Sequence, residues 1–200
     1  MTVYKVSERG SGCNSYILTA DSKTAVVVDC ADEEVYTRCE KLGLKPVGVL
    51  LTHGHFDHVG GCGKFFEKEV PIYCGEGEDK FIFSQENRSI FGGVFIPDFK
   101  IQKTLADGEK ITLGGIDFEV IGTPGHTVGG VCYLADGCLF SGDTLFRCSI
   151  GRTDLPGGDY TVLKNSLKKL CSLDKNLKVY CGHGSQTTID FEHKNNPYVD

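Results

Sequence analysis

Leu50-Leu51-Thr52-His53-Gly54-His55-Phe56-Asp57-His58-Val59-Gly60-Gly61 follows directly on the apolar residues Val47 and Val49. The apolar run reads as a buried strand, so the polar residues after it stand where a strand ends and a loop begins. Four of them, His53, His55, Asp57 and His58, are metal ligands by type. They cannot all reach one ion. In extended backbone His53 and His55 point to the same side, whereas Asp57 and His58 come after the turn and reach a neighbouring point. Two adjacent ions are the expected occupants. The plainer reading is a histidine cluster at a helix start with Asp57 as N-cap. It leaves unexplained why three of the six histidines gather beside an aspartate.

The composition frames this site. A chain of 200 residues is one domain by size, residues 1–200, and is long enough to bury a two-sheet core. The net charge of −6 argues against a nucleic-acid partner, which would call for a basic stripe. The N-terminal stretch Met1-Thr2-Val3-Tyr4-Lys5-Val6 alternates like a strand and has no apolar core, so neither a signal peptide nor a membrane span is expected, and a cytoplasmic location is. The ten cysteines, Cys13, Cys30, Cys39, Cys62, Cys74, Cys132, Cys138, Cys148, Cys171 and Cys181, are spread singly with no C-x-x-C. They read as free thiols serving as small hydrophobes, not as bridges or a thiolate zinc site.

Taken in order, residues 2–8, 13–20 and 24–30 read as an antiparallel meander with a turn at Asp21-Ser22-Lys23. A helix over 32–43, capped by Asp32 and stopped by Gly43, precedes strand 47–51. Then come a helix at 58–69, a strand at 72–74 and a helix at 76–87. Residues 88–105 have no period; their Phe91, Gly92, Gly93, Phe95, Pro97 and Phe99 suit a cleft wall or core packing. Strands follow at 109–113, 116–121, 129–134 and 137–141, the last two a hairpin through Asp136-Gly137. A helix at 159–171 has Asp159 as cap and Val162, Leu163, Ser166, Leu167 and Leu170 on its inner face. Strand 177–181 and a helix near 185–193 complete the order.

Three later strands also run into ligand-type residues: 116–121 into Thr123-Pro124-Gly125-His126-Thr127, 137–141 into Ser141-Gly142-Asp143-Thr144, and 177–181 into Gly182-His183-Gly184. Each alone reads as a turn residue. Together, four strand ends carry five of the six histidines and two aspartates, a donor set that suits Zn²⁺, Mn²⁺ or Fe.

T-H-x-H-x-D-H, then a single His, a single Asp and a G-H, resembles the pattern of the metallo-β-lactamase superfamily over nearly the whole chain. Within it the sequence is similar to the short glyoxalase II-like (hydroxyacylglutathione hydrolase-like) group, through Ser141-Gly142-Asp143-Thr144-Leu145-Phe146, Ser149-Ile150-Gly151-Arg152-Thr153-Asp154, Leu155-Pro156-Gly157-Gly158-Asp159 and Asn196-Pro197-Tyr198. The resemblance implies an α/β (α+β) fold, a four-layer αββα sandwich of two mixed sheets with the metals at one edge. It implies two divalent ions, Zn²⁺ foremost with Fe or Mn as alternatives: one held by His53, His55 and His126, the other by Asp57, His58 and His183, with Asp143 between. The implied chemistry is hydrolysis of a small acyl thioester by metal-activated water, with Asp57 and Asp143 as catalytic residues and a monomer or homodimer as the assembly. A thiolate leaves with little need of a general acid. The zinc β-lactamases have Cys where Asp143 stands, so antibiotic hydrolysis is not expected.

Arg152 stands where the resemblance puts a lysine that grips the carboxylate of glutathione; a surface pair with Asp154 is the alternative. The helical domain of full-length glyoxalase II, which follows the last ligand there, is not expected in this chain. Gly61-Cys62-Gly63-Lys64-Phe65-Phe66-Glu67 looks like a glutathione-contacting loop in the wrong place and reads as a helix entry with Lys64 solvated. His193 reads as a surface residue. Asp29 is either a partner for a ligand histidine or a strand-end turn. A mononuclear-iron persulfide dioxygenase using His53 or its neighbours, His126 and Asp143, and a lactonase or phosphodiesterase, are the other activities the same site suits.

Overall fold

In the computed structural model, residues 1–90 and 96–199 are described. The chain opens with Thr2–Ser7 (β1), Asn14–Thr19 (β2) and Thr24–Val28 (β3), then Glu34–Lys41 (α1) and Lys45–Leu50 (β4). The ligand motif follows, carrying Phe56–Val59 (α2), and then come Cys62–Glu67 (α3), Ile72–Gly75 (β5), Glu78–Ile82 (α4), Gln85–Ser89 (α5) and Lys103–Leu105 (β6). The six strands form one sheet in sequence order. It is mixed: β1, β2 and β3 pair antiparallel, and β3 to β6 pair parallel.

The second half adds Lys110–Leu113 (β7), Ile116–Gly122 (β8), Val131–Ala135 (β9), Cys138–Gly142 (β10), the short Leu145–Phe146 (β11) and Ser149–Ile150 (β12), Tyr160–Cys171 (α6), Lys178–Cys181 (β13), Thr187–Thr188 (β14) and Ile189–Asn195 (α7). Its six-stranded sheet has the order β14-β13-β10-β9-β8-β7, with β10 and β13 parallel and the other neighbours antiparallel.

Alternation along the strands builds three apolar layers. Val26, Val28, Leu50, Phe118, Val120, Tyr133 and Phe140 fill the space between the sheets. Their neighbours on β3 and β4, Ala25, Val27 and Val49, turn outward against Val35 and Cys39 of α1 and Phe65 of α3. Ile121, Cys132, Leu139 and Val179 turn outward on the other side against Leu163, Leu167 and Leu170 of α6. The result is helix, sheet, sheet, helix, as expected.

The differences lie at element ends and in the helices. The helix expected over 58–69 is two, α2 and α3, separated by Gly60 and Gly61. Each glycine packs where a Cβ would strike the backbone of Ala31 or Asp32. The helix expected over 76–87 breaks at Ser84, whose side chain caps α5 by accepting from the Asn87 N–H. Asp32 is not the N-cap of α1: that residue is Glu33, and the Asp32 carboxylate accepts from the Glu34 N–H instead. Val162 is exposed, leaving Leu163, Ser166, Leu167 and Leu170 as the buried face of α6. Asp159 caps that helix, accepting from the Val162 N–H. Residues 185–193 hold β14 before α7, not one helix. In the stretch without a period, Ile96 and Phe99 join the outer core and β6 closes the sheet; Phe91, Gly92, Gly93 and Phe95 lie outside the described residues. His193 is exposed on α7.

Gly125 has φ +122°, and a Cβ there would collide with the backbone of Leu163 at the start of α6. Gly125→Ala is therefore expected to destabilise the protein by about 3 kcal/mol, through strain and the steric clash together. Denaturant unfolding against Gly184→Ala, which has positive φ but open space, separates the two contributions.

Candidate metal centre

The first sheet delivers His53, His55, Asp57 and His58 from the C-terminal end of β4; the second delivers His126, Asp143 and His183 from the ends of β8, β10 and β13. Hydrogen bonds across the sheets hold these ends together. Tyr133 Oη donates to the Leu51 carbonyl at 2.8 Å, and Val131 N–H to the Thr52 carbonyl at 2.9 Å. Tyr16 Oη donates to the Cys181 carbonyl at 2.6 Å, and the Asn14 side-chain amide to the Cys181 and Gly184 carbonyls.

All seven expected ligands come together. Donor atoms of His53, His55 and His126 lie within 4.8 Å of one another, and so do those of His53, His58 and Asp143. Asp57 Oδ2 is 3.4 Å from His183 Nε2. The Asp143 carboxylate sits between the groups: Oδ1 is 3.4 Å from His58 Nε2, and Oδ2 is 3.6 Å from His126 Nε2 and 3.5 Å from His183 Nε2.

The ring orientations are set from behind. His58 Nδ1 donates to Asp29 Oδ2 at 2.8 Å, which turns Nε2 toward the site, beside Cys13 Sγ and Asp143 Oδ1. Asp29 also accepts from the Thr52 N–H and hydroxyl, each at 2.7 Å, and Thr52 Oγ1 lies 3.1 Å from His53 Nδ1. His126 Nδ1 donates to the Arg152 carbonyl at 2.7 Å. Of the two readings of Asp29, the partner role is the one found, on a non-glycine residue held at φ +56°. Arg152 acts here through its main chain, while its guanidinium makes a two-pronged pair with Asp154 at 2.8 and 2.7 Å.

These residues fit divalent ions. His53 Nε2, His55 Nε2 and Asp143 Oδ1 are buried with no hydrogen-bond partner, a costly arrangement unless a cation takes up such lone pairs. Burial, reinforced by the neighbouring histidines, holds His53 well below the usual histidine range and His55 down at about 3. Burial likewise lowers His126, so this trio is neutral at neutral pH. Burial pushes His58 and His183 down too. Cys13, Asp143 and Asp29 around His58, and Asp57 and Asp143 around His183, outweigh it and raise both. Burial pushes Asp143 up, yet His58, His126 and His183 hold it far below the carboxylate range. Asp57 is lowered against its burial by His183 and His58. The described residues form a candidate dinuclear metal site.

Two contributors escaped the sequence reading. Cys13, read only as a hydrophobe, has Sγ 3.5 Å from His58 Nε2. Glu78, at the start of α4, is fully buried and joins the two ligand loops. It accepts from the Gly54 N–H at 2.7 Å, the Gly129 N–H at 2.8 Å and the Thr127 hydroxyl at 3.0 Å. Neither has a spacing signal, since each meets the motif only through the fold.

Known proteins are similar to this chain in sequence and fold. A family model described as the metallo-beta-lactamase superfamily matches residues 9–183. Hydroxyacylglutathione hydrolase GloC of Haemophilus influenzae is 36% identical, over 94% of this chain and 92% of that protein. The crystal structure of BLEG-1 B3 metallo-beta-lactamase superposes with a TM-score of 0.93 at 36% identity, covering 99% of each chain. That of TTHA1623 in a di-iron-bound form superposes at 0.86 with 33% identity, over 98% of this chain and 100% of the other.

Glu78→Ala, which strips three buried donors of their acceptor, is expected to cost about 3 kcal/mol or more. Burial pushes the Glu78 carboxyl from 4.5 up to about 7, against the pull of Gly129, Gly54 and Thr127. The folded state therefore binds this proton more tightly than the unfolded chain. The resulting stability is full below pH 4.5 and is lost as pH rises through about 7. Melting temperatures of wild type and Glu78→Gln, which cannot titrate, should shift against wild type across that window.

Proposed function

The chain belongs to the metallo-beta-lactamase superfamily and carries the donor set of a metallohydrolase, and we propose that its substrate is a small acyl thioester of the hydroxyacylglutathione kind. The observation that carries this reading is the placement of Asp143 between two groups of metal-ligand side chains beside an open pocket. That pocket has a volume of about 300 Å³ and is lined by His55, Asp57, His126, Asp143, Phe146 and Arg152 among others. The relative that hydrolyses hydroxyacylglutathione by name supports the substrate class.

Zn²⁺ is the proposed resident ion, with Fe and Mn compatible with the same nitrogen and oxygen donors. His53, His55 and His126 would hold one ion, Asp57, His58 and His183 the other, with Asp143 shared between them. Bound there, divalent ions supply Lewis acidity, which lowers the pKa of a water from near 16 to about 7 and polarises a carbonyl. The chain's own part is orientation and charge. Asp29 and the Arg152 carbonyl fix the rings of His58 and His126, and Asp57, partly exposed in the pocket, is placed to accept a proton from an attacking water. Among the described lining residues no group outside the donor set has the chemistry of a general acid, which favours a leaving group that needs none, a thiolate.

The Arg152 guanidinium is proposed to receive a carboxylate of the thiol carrier. Its pair with Asp154 is exposed and screened by solvent, so one partner can be exchanged for another at little cost. No nucleic-acid or membrane partner is proposed, and the working unit is a monomer or homodimer.

The purified protein is expected to hold about two metal ions per chain. It is expected to release thiol from S-lactoylglutathione, at least about 100-fold more slowly in Asp143→Ala or His55→Ala. Arg152→Ala should raise KM and leave kcat alone. One iron per chain with oxygen uptake on glutathione persulfide, or turnover of a chromogenic cephalosporin without thiol release, would overturn the thioester reading.

A further inference from the structure

We propose that the second ion position contains a thiolate: Cys13, just ahead of β2, is a ligand together with His58 and His183. The Sγ of Cys13 lies 3.5 Å from His58 Nε2, and the donor atoms of Cys13, His58 and His183 all lie within 4.8 Å of one another. Zn–S and Zn–N bonds of about 2.3 and about 2.0 Å at a tetrahedral angle put the two donor atoms about 3.5 Å apart. The sulfur stands where a ligand to the same ion would stand.

An independent observation points into the same space. Asp143 Oδ1, 3.4 Å from His58 Nε2, is buried and has no hydrogen-bond partner. His58 Nε2 thus has the sulfur and a carboxylate oxygen without a hydrogen-bond partner as its two neighbours, donors that a cation beside His58 would take up.

The thiol is also held in place by its backbone. Cys13 pairs with His183 as an antiparallel bridge, and Asn14 N–H donates to the Gly182 carbonyl at 2.7 Å. Its own N–H donates to Ser11 Oγ at 3.1 Å, and its carbonyl accepts from the Glu8 N–H at 2.9 Å. The other buried cysteines, Cys30, Cys39, Cys62, Cys74, Cys132 and Cys181, each pack inside an apolar cluster. Cys13 is buried but belongs to none of the three. Filling apolar space does not account for it.

On binding, the Sγ–H bond breaks, its proton leaves to solvent, and the sulfur lone pair forms the bond to the ion; no oxidant or reductant takes part. The two positions then differ in kind. The trio of His53, His55 and His126 is neutral, whereas the second position combines Asp57 and the shared Asp143 with a thiolate. It is selective for thiophilic ions such as Zn²⁺ and Cd²⁺ over Mn²⁺.

The inference rests on the dinuclear reading of the site and not on the substrate. Cobalt(II) added to the metal-free protein should give a sulfur-to-cobalt charge-transfer band in the near ultraviolet that is absent in Cys13→Ser. The same variant should bind its second Cd²⁺ at least about 100-fold more weakly while Mn²⁺ affinity stays within a few-fold. Equal weakening for both ions, or identical cobalt spectra, would overturn the proposal. Cadmium NMR of wild type covers a variant that fails to fold. One resonance in the downfield range of sulfur ligation is expected, and two resonances in the nitrogen and oxygen range would refute it. A sulfur band without thioester hydrolysis would remove only the substrate reading; hydrolysis without the band would remove only this one.

Discussion

The carboxylate of Asp29 is the contact on which the site depends. It closes β3 in a left-handed conformation and accepts three hydrogen bonds, from the Thr52 main chain, the Thr52 hydroxyl and the His58 ring. One buried carboxyl group thereby fixes the end of β4, presents His53 through Thr52 and turns Nε2 of His58 toward Asp143. A buried carboxylate is tolerated only when its oxygens are satisfied in this way, and a charge-assisted hydrogen bond is about twice as strong as a neutral one. The ligand geometry follows from satisfying Asp29.

The same logic operates around the rest of the rim. Glu78 does for Gly54 and Gly129 what Asp29 does for Thr52, and the Arg152 carbonyl does it for His126. Glycines allow the close approaches. A Cβ on Gly182 would run into Asp143 Oδ1 and the His58 ring, and one on Gly151 into His126 Nδ1. Donor side chains are crowded against backbone that has nothing to put in their way.

What was legible in the sequence was what strand physics encodes locally. The motif from His53 to His58 follows a β-strand whose alternation is plain, and His126, Asp143 and His183 each follow another, so their convergence could be read from strand ends. The four layers were legible for the same reason: period-two apolar strands such as Ala25 to Val28 have one set of side chains for each face. Helix continuity was less so: the break at Gly60–Gly61 arises from contacts with Ala31 and Asp32 that only the folded chain brings near, whereas the break at Ser84 is a local N-cap on Asn87, three residues on. Cys13 and Glu78 were unreadable on the same ground. One meets its partner across 45 positions, the other across 24 to 51, and nothing adjacent in sequence marks either.

The stitching of Asn14 and Tyr16 to Cys181 and Gly184 has a bearing on biogenesis. These bonds join positions 165 or more apart, so the loop they close is nearly as long as the chain itself. Closing such a loop is entropically late, and a polypeptide emerging from the ribosome presents His53 and His55 well before their partners from the second sheet exist. The donor set is complete only once β13 has docked and brought His183 to the others.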